Sequence, residues 1–191
     1  MPAPVLSRRD LDFLLYDWLD VVSLTDRPYF AEHSRETFDG ILDLSADLAT
    51  KHFATHNKKA DANEPRIGED GRVEIIPPEV KEALDQFAKA GLISASFDES
   101  LGGMQLPVSV LRAAMAWFQA ANAGTSSYPF LTVGNANVIA THGTEEQVAM
   151  FVPSLLEGRF FGTMCLSEPQ AAPRSPTSPP RRSRRTTAPT A

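Results

Sequence analysis

The chain has 191 residues, of which 42% are hydrophobic and 22% are charged, values typical of folded globular proteins. Residues 171–191 contain five arginines and no acidic residue, so the formal net charge of −6 divides into +5 for this tail and −11 for residues 1–170. A body this acidic repels phosphate and is poorly suited to non-specific binding of nucleic acid or anionic lipid.

The cysteine content and the N-terminal region indicate a cellular compartment. Cys165 is the single cysteine, which excludes an internal disulfide and fits a reducing environment. Charged residues lie between Arg8 and Asp12, where a signal peptide would need an apolar core. No uncharged apolar run approaches the 18 residues of a membrane span. These features predict a soluble cytoplasmic protein.

Two amphipathic helices are predicted at the start of the chain. The first is capped by Ser7, and its apolar side chains recur at i, i+3, i+4 and i+7: Leu11, Leu14, Leu15, Trp18, Leu19 and Val22. Pro28 separates it from a second helix that is capped near Ser34. The apolar face of the second helix comprises Phe38, Ile41, Leu42, Leu48, Ala49 and Phe53.

The middle of the chain alternates loops and a short helix. Residues 57–71 are polar and contain Pro65, Gly68 and Gly71, which predicts an exposed loop. Pro77 and Pro78 then open a short helix that ends at Gly91 and buries Val80, Leu84 and Phe87. The stretch SFDESLGGMQLP is a turn-rich connector, because Gly102 and Gly103 supply backbone freedom.

Three helices and a strand are predicted in the following part. A long helix starts at Leu106 or Pro107 and continues to Gly124, and another lies around residues 130–141. The last helix begins at Thr144, which forms a capping box with Gln147, and ends at Gly158. The run RFFGTMCLS, residues 159–167, then resembles a strand. Because an isolated strand cannot satisfy its backbone groups, this run predicts a sheet that the chain does not supply.

The order of these segments resembles the acyl-CoA dehydrogenase family. The helix pair HGTEEQVAMFVPSLLEGRFFG is followed by CLSEPQA, and in that family the phrase Cys-Leu-Thr/Ser-Glu-Pro-x-Ala-Gly-Ser opens a middle β domain and lines the flavin. The match covers most of residues 30–171 and is strongest over residues 141–171. The N-terminal arm and YPFLTVGNANVIATHG are most similar to the branch that includes methylthiopropanoyl-CoA dehydrogenases.

The resemblance implies a fold and a division of the chain. We expect an all-α fold: the N-terminal helical domain of an acyl-CoA dehydrogenase over residues 1–158, with the first strand and flavin-side turn of an incomplete β domain over residues 159–171. Residues 172–191 lack Ile, Leu, Val, Met, Phe, Trp, Tyr and Cys, so nothing in them offsets the entropy of ordering. We expect this tail to be disordered.

The chemistry that the resemblance implies is the oxidation of an acyl-CoA to a trans-2-enoyl-CoA. A carboxylate takes the α-proton while the β-hydride passes to FAD, which needs hydrogen-bond donors where charge develops. By the match, Met164 and Leu166 would lie along the isoalloxazine, and Ser167 would offer its hydroxyl and backbone N–H to the ring. Without that context, Met164 and Leu166 are typical of a core strand and Ser167 of a turn. The implied partners are FAD, an acyl-CoA, an acceptor such as electron-transfer flavoprotein, and further copies of the chain.

The tail departs from the family where Gly-Ser is expected and Ala172-Pro173 stands instead. If the third base of each codon is read with the first two of the next, residues 171–178 permit Gly-Ser-Ser-Leu-Ala-Asp-Ile, which is the expected continuation. We therefore hypothesise that residues 172–191 are the product of a frameshift in a dehydrogenase gene.

This departure from the family pattern after Ala171 changes the enzymatic activity that we expect of the chain. The family's general base is a Glu in a C-terminal helical domain that lies beyond the frameshift, and Glu168 belongs to the flavin-side turn. No catalytic residue and no metal site are therefore assigned within the chain. We expect neither dehydrogenase activity nor tight flavin binding. The rival hypothesis is a non-enzymatic helical adaptor whose basic tail, including Arg181 to Arg185, binds an acidic partner or RNA.

Other candidate sites have simpler interpretations. His52 and His56 have the i, i+4 spacing of a zinc pair, but no Glu follows His52 and no third ligand is evident, so we interpret both as helix-surface residues. Cys165 is interpreted as a core thiol. The pairs Asp17 with Asp20 and Asp43 with Asp47 are interpreted as solvated helix carboxylates, because nothing local desolvates them.

Overall fold

The computed structural model describes residues 5–75 and 77–164, and helices account for most of them. The α-helices there are α1 (Arg8–Asp12), α2 (Arg35–Leu48), α3 (Asn57–Asp61), α4 (Pro78–Lys89), α5 (Val108–Ala121), α6 (Ala123–His142) and α7 (Glu145–Leu156). Two π-helical turns (Phe13–Trp18, Ala49–Phe53) and four 3₁₀ turns (Val21–Asp26, Pro28–Phe30, Ala54–His56, Glu99–Leu101) connect them. The predicted all-α fold class is confirmed.

The N-terminal arm, residues 5–30, is attached to α2 through ion pairs. The hydroxyl of Ser7 caps α1 as predicted, accepting from the backbone N–H of Asp10 at 3.3 Å. Arg8 donates to the carboxylates of Asp39 at 2.6 Å and of Asp43. These contacts fix one face of the arm on the body.

The predicted apolar stripe of the arm is only partly buried. Leu15 is 3% exposed, whereas Trp18 is 71% exposed and Leu19 is 57% exposed. The chain changes from α- to π-helical hydrogen bonding at Phe13, which alters the number of residues per turn. A stripe with the period of 3.6 residues therefore does not stay on one face.

The main core lies between α2, α4, α5 and the π-helical turn that follows α2. Phe53, Phe87 and Phe118 are at most 1% exposed, and their rings meet edge to face, with centroids 4.8 Å apart for Phe53–Phe118 and for Phe87–Phe118. Such pairs add about 0.5–1.5 kcal/mol to the free energy of burial. Ser34 caps α2 with a capping box, as predicted from the sequence.

Residues 57–71 are more regular than the predicted loop. They contain α3 and the strand β1 (Arg66–Ile67), which pairs antiparallel with β2 (Val73–Glu74). The register aligns Arg66 with Glu74 and Ile67 with Val73. The exposure of this segment was predicted correctly, but its regular structure was not.

The connector between α4 and α5 requires glycine at one position. A Cβ atom on Gly103 would lie 1.9 Å from the backbone oxygen of Phe97. Backbone hydrogen bonds hold residues 95–97 against residues 103–106. Leu106 N donates to Ala95 O at 2.8 Å, and Gln105 N donates to Phe97 O at 3.0 Å. The structure therefore gives a reason for each glycine of the predicted connector. Gly103 lies where two backbone segments approach closely, and Gly102 adopts a left-handed conformation.

The last part of the described chain consists of α6, α7 and residues 159–164. Helix α6 starts seven residues earlier than predicted, and the capping box of Thr144 at the start of α7 is confirmed. The described part of the predicted strand forms no ladder; instead the backbone N–H of Gly162 donates to Thr132 Oγ1 at 3.1 Å. Within residues 5–75 and 77–164, no helix combines the length and the hydropathy needed to cross a membrane.

Candidate functional site

A cleft of about 850 Å³ opens between α3, the hairpin, α4 and the first half of α6, with residues 158–163 along one edge. Most of its wall is apolar, formed by Pro65, Val73, Ile75, Pro77, Val80, Leu84, Leu131 and Phe161. Polar side chains lie mainly on the α3 and α6 sides: Asn57, Asn63, Asn122, Thr125, Ser127 and Tyr128. Ligand sites commonly have this composition, with apolar walls and a few polar groups that orient the ligand.

The polar side of the cleft rests on a buried hydrogen-bond network at the start of α6. Asn122 caps the helix, accepting from the backbone N–H of Thr125 at 3.0 Å, and its amide donates to the backbone oxygen of Phe53 at 3.3 Å. Thr125 Oγ1 lies 2.8 Å from Nε2 of His56. Asn122, Thr125 and His56 are at most 2% exposed. The network therefore links α6 to the chain segment that precedes α3.

The burial of His56 corrects the interpretation of this residue as a helix-surface histidine. Its neighbour on the predicted helix, His52, is partly exposed and lies 3.9 Å from a carboxylate oxygen of Glu82. The π-helical and 3₁₀ turns between residues 49 and 56 direct the two imidazoles differently from an i, i+4 pair on a regular helix. Within residues 5–75 and 77–164, no three His, Cys, Asp or Glu side chains gather in the manner of a metal site.

The carboxylates along the cleft are solvated or ion-paired. Asp61 and Glu64 are exposed, and Asp85 accepts from Lys81 Nζ at 2.6 Å. Asp47 is one of the aspartates that we interpreted as solvated helix carboxylates. In the structure it forms an ion pair with Lys51 at 2.7 Å. A general base with a raised pKa needs desolvation or a neighbouring like charge, and no carboxylate that lines the cleft is buried.

Glu79 connects α4 to α3 through an ion pair. Its Oε1 atom accepts from Lys59 Nζ at 2.6 Å. That hydrogen bond is the main cause that lowers the pKa of the Glu79 carboxyl, and the attraction to His56 is a smaller one. The Lys59–Glu79 ion pair therefore ties α3 to α4.

Only one of the three flavin-contact residues expected from the family resemblance lies within the described chain. Met164 is 51% exposed, and its Cε lies 3.8 Å from the position that a Cβ on Gly134 of α6 would take. Leu166 and Ser167 lie outside the described residues, as do Cys165 and the tail.

Sequence reasoning missed the network of His56, Asn122 and Thr125. One local signal was present, since Asn122 is followed by Ala-Gly-Thr and asparagine is a strong N-cap residue. The partnership with His56 had no such signal, because 69 residues separate it from Thr125.

Comparisons of the chain with known proteins all point to the same family. The family model described as the acyl-CoA dehydrogenase N-terminal domain matches residues 40–159. A 3-methylmercaptopropionyl-CoA dehydrogenase from Ruegeria pomeroyi is 39% identical over 103 residues, which are 54% of this chain and 17% of that protein. A butyryl-CoA dehydrogenase from Syntrophomonas wolfei is 27% identical over 165 residues, which are 85% of this chain and 27% of that protein. The chain thus spans about a sixth to a quarter of the length of these relatives.

A solved structure shares the arrangement of helices. It is the structure of the electron transferring flavoprotein of Acidaminococcus fermentans, which was solved to study the mechanism of flavin-based electron bifurcation. The matched chain aligns with a TM-score of 0.58 at 25% sequence identity, covering 73% of this chain and 34% of that one. Most of the described helices therefore have counterparts in a chain of that structure.

Proposed function

The chain belongs to the acyl-CoA dehydrogenase family, since the model of that family's N-terminal domain matches residues 40–159, and on this premise we propose that its helices form the wall between an acyl-CoA and a flavin-carrying β domain. The family is one of oxidoreductases. The cleft supports the proposal because residues 158–163, which lead directly into the phrase around Met164, form one of its edges.

The observation that carries this proposal is the character of α6. Its 20 residues include no Asp, Glu, Lys or Arg, and its apolar side chains are mixed with Ser, Thr and Asn rather than confined to one face. A helix without charged side chains has no face that is suited to full exposure to water. Phe130 and Val138 on α6 are nevertheless 43% and 58% exposed. A further layer that covers α6 explains this composition, and the β domain of the family is such a layer.

The residues beside α6 fit a flavin in this position. Met164 presents a flexible, polarizable thioether next to Gly134, and such a side chain adapts well to the face of an aromatic ring. Leu166 would extend this apolar contact, and Ser167 would donate to the pyrimidine edge. When bound, FAD would supply the hydride acceptor for oxidation of the acyl chain.

We further propose that the 191-residue chain does not catalyse this oxidation by itself. The reaction needs a carboxylate poised to remove the α-proton, and the carboxylates that line the cleft are solvated or paired with Lys81. The general base would lie in the other domains that the family has. Those domains would also contact the acceptor flavoprotein and further copies of the chain. Residues 172–191 would be encoded out of frame with it.

Two forms of the protein test these proposals. The first is the chain as it stands, and the second continues after Ala171 in the alternative reading frame of the gene. We expect the second form to purify with flavin that butyryl-CoA or 3-methylmercaptopropionyl-CoA reduces, and the first form to purify without flavin. Flavin at stoichiometric amounts in the first form would contradict the expectation that this chain does not bind flavin tightly. Absence of flavin from a folded second form would contradict the proposed function.

A further inference from the structure

Arg8 connects the N-terminal arm to α2, and its three side-chain nitrogen atoms are divided between the two. Its Nε donates to Asp12 in the arm at 2.7 Å, and its Nη2 donates to Asp39 of α2 at 2.6 Å. Its Nη1 donates to Asp43, one turn further along α2. The side chain of Arg8 is only 28% exposed. One guanidinium thus lies between one carboxylate of the arm and two carboxylates of the body.

Tyr16 adds a second contact from the arm to the same part of α2. Its hydroxyl donates to Asp39 Oδ1 at 2.7 Å, and the guanidinium of Arg35 lies 4.2 Å from the centre of its ring. Burial and the hydrogen bond to Asp39 raise the pKa of Tyr16, so the phenol keeps its proton and remains a donor at neutral pH. Both polar contacts from this part of the arm therefore meet at Asp39.

The arm buries little apolar surface in support of these polar contacts. Leu15 and Val21 are buried, whereas Phe13, Trp18 and Leu19 are more than half exposed. The helical turns of the arm also lie closer to one another along the backbone than to α2, α4 or α5. Segments with few buried apolar contacts open locally at a lower free energy than the whole domain unfolds. The arm has the properties of such a segment.

The other end of the arm is attached to the body without Arg8. Tyr29 donates its hydroxyl to Asp98 at 2.7 Å, and the side-chain amide of Gln105 donates to the backbone oxygen of Tyr29 at 2.7 Å. The backbone is extended at Arg27, the residue before Pro28, so the helical turns of residues 8–26 end there. These residues can therefore move away from α2 while Tyr29 stays in place.

We propose that residues 8–26 open away from α2 as one unit while the rest of the domain stays folded, and that Arg8 controls this opening. In the closed state its guanidinium neutralises the carboxylates on both sides. Without the guanidinium, Asp12 of the arm would face Asp39 and Asp43 of α2. Like charges that share one site repel each other, so loss of the cation favours the open state.

The opening makes the exposure of part of the core depend on ionic strength. Leu15 and Val21 belong to the hydrophobic core and become exposed together with the apolar side chains that they cover. Salt screens ion pairs that are partly exposed, so it shifts the arm towards the open state. No residue of the arm lines the cleft, so this opening and the proposed function are tested independently.

Hydrogen–deuterium exchange of the 191-residue chain, followed by mass spectrometry, tests the opening. Arg8→Gln removes the cation, and we expect the amides of residues 8–26 to exchange about five- to tenfold faster, with no change in α4 and α5. Arg9→Gln is the matched control, because Arg9 is the exposed neighbour and its substitution changes the net charge equally. It should exchange like the wild type. Equal rates in the two variants, or faster exchange throughout the domain, would overturn the inference.

The response to salt separates the charge of Arg8 from the packing of its side chain. Between about 0.05 M and 1 M NaCl, we expect residues 8–26 to exchange faster in the wild type, because salt screens the attraction to Arg8. In Arg8→Gln the salt screens the remaining repulsion between carboxylates, so exchange should slow or stay constant. The same acceleration in both proteins would contradict the electrostatic control.

Tyr16→Phe measures the contribution of the second contact. The substitution keeps the ring and removes the hydroxyl that donates to Asp39. We expect exchange of residues 8–26 to rise by about two- to threefold, less than in Arg8→Gln, because a single hydrogen bond is lost and the ion pairs remain. A larger rise in Tyr16→Phe than in Arg8→Gln would contradict the control by Arg8.

Discussion

The half of the molecule built on α2, α4 and α5 differs sharply from the half built on α6 and α7. In the first half the phenylalanines of these helices are packed inside, and Phe38, Phe87 and Phe118 are at most 1% exposed. In the second half Phe130, Met150 and Phe151 are between 41% and 57% exposed. The second half contributes Val152, Leu155 and Leu156 to the same core, but unlike the first half it also presents large aromatic and Met side chains outward.

The difference indicates that the two halves have different structural roles in the domain. A closed core fixes the shape of the helix bundle, because burial of large apolar side chains is the main stabilising contribution. An uncharged helix with exposed apolar side chains is suited to contact with another layer of protein or with a cofactor. The cleft lies where the two halves meet, with α4 on one side and α6 on the other.

The largest effect of a side-chain truncation is expected from Phe118→Ala in the first half. Phe118 contacts both Phe53 and Phe87, so its removal leaves a cavity and should lower the free energy of unfolding by about 3–5 kcal/mol. Urea unfolding followed by circular dichroism measures this change. The matched variant Phe151→Ala in the second half should lower it by less than about 1 kcal/mol. Equal losses in the two variants would break the distinction between the halves.

A smaller loss is expected from Gly103→Ala. The new Cβ would meet the backbone oxygen of Phe97, so the connector must shift, at about 3 kcal/mol. The control is Gly40→Ala on α2, where nothing lies within 4 Å of the new Cβ. Because alanine favours the helix, Gly40→Ala should raise the free energy of unfolding by about 0.5–1 kcal/mol. A tolerated Gly103→Ala would show that the connector is not closely packed.

Asn122→Ala tests the junction between the halves. The substitution removes the cap of α6 and the hydrogen bond to Phe53, and we expect a loss of about 2 kcal/mol in thermal or urea unfolding. Asn63→Ala is the control, since the Asn63 amide makes an exposed hydrogen bond to Lys59 O and should change stability by less than about 0.5 kcal/mol. Similar losses in the two variants would contradict the network at the start of α6.

Thr144→Ala probes the second half alone. It removes the acceptor for the backbone N–H of Gln147 and should cost about 1 kcal/mol. Thr144→Ser retains the hydroxyl and should restore most of that loss. If both variants unfold like the wild type, the cap does not stabilise α7.

The smallest effect is expected from Met150→Glu. Met150 is 57% exposed on α7, so a charge there remains solvated and should change the free energy of unfolding by less than about 0.5 kcal/mol. Val110→Glu on α5 is the contrasting variant, because Val110 is fully buried and a charge at that position should unfold the chain. A large loss in Met150→Glu would show that the outward side of α7 is already covered in this chain.

Local features of the fold were predictable from the sequence, and features that depend on distant contacts were not. The caps at Ser34 and Thr144 were predicted correctly, because a cap depends on residues within one turn. The hairpin between Arg66 and Glu74 and the early start of α6 were missed. The sequence did not indicate the cleft, since its walls come from three separate stretches of the chain, residues 57–85, 122–131 and 158–163.

The sequence by itself determined the helical class, the helix boundaries marked by caps and glycines, and the family, because hydrophobic period, capping and motif order are properties of neighbouring residues. Only the tertiary structure decided that His56 is buried against Thr125, that the stripe of the N-terminal arm is divided by a π-helical turn, and that α6 carries exposed apolar side chains beside a cleft. These outcomes depend on which faces of distant segments meet, and the free energy of that packing is not encoded in any single stretch of the chain.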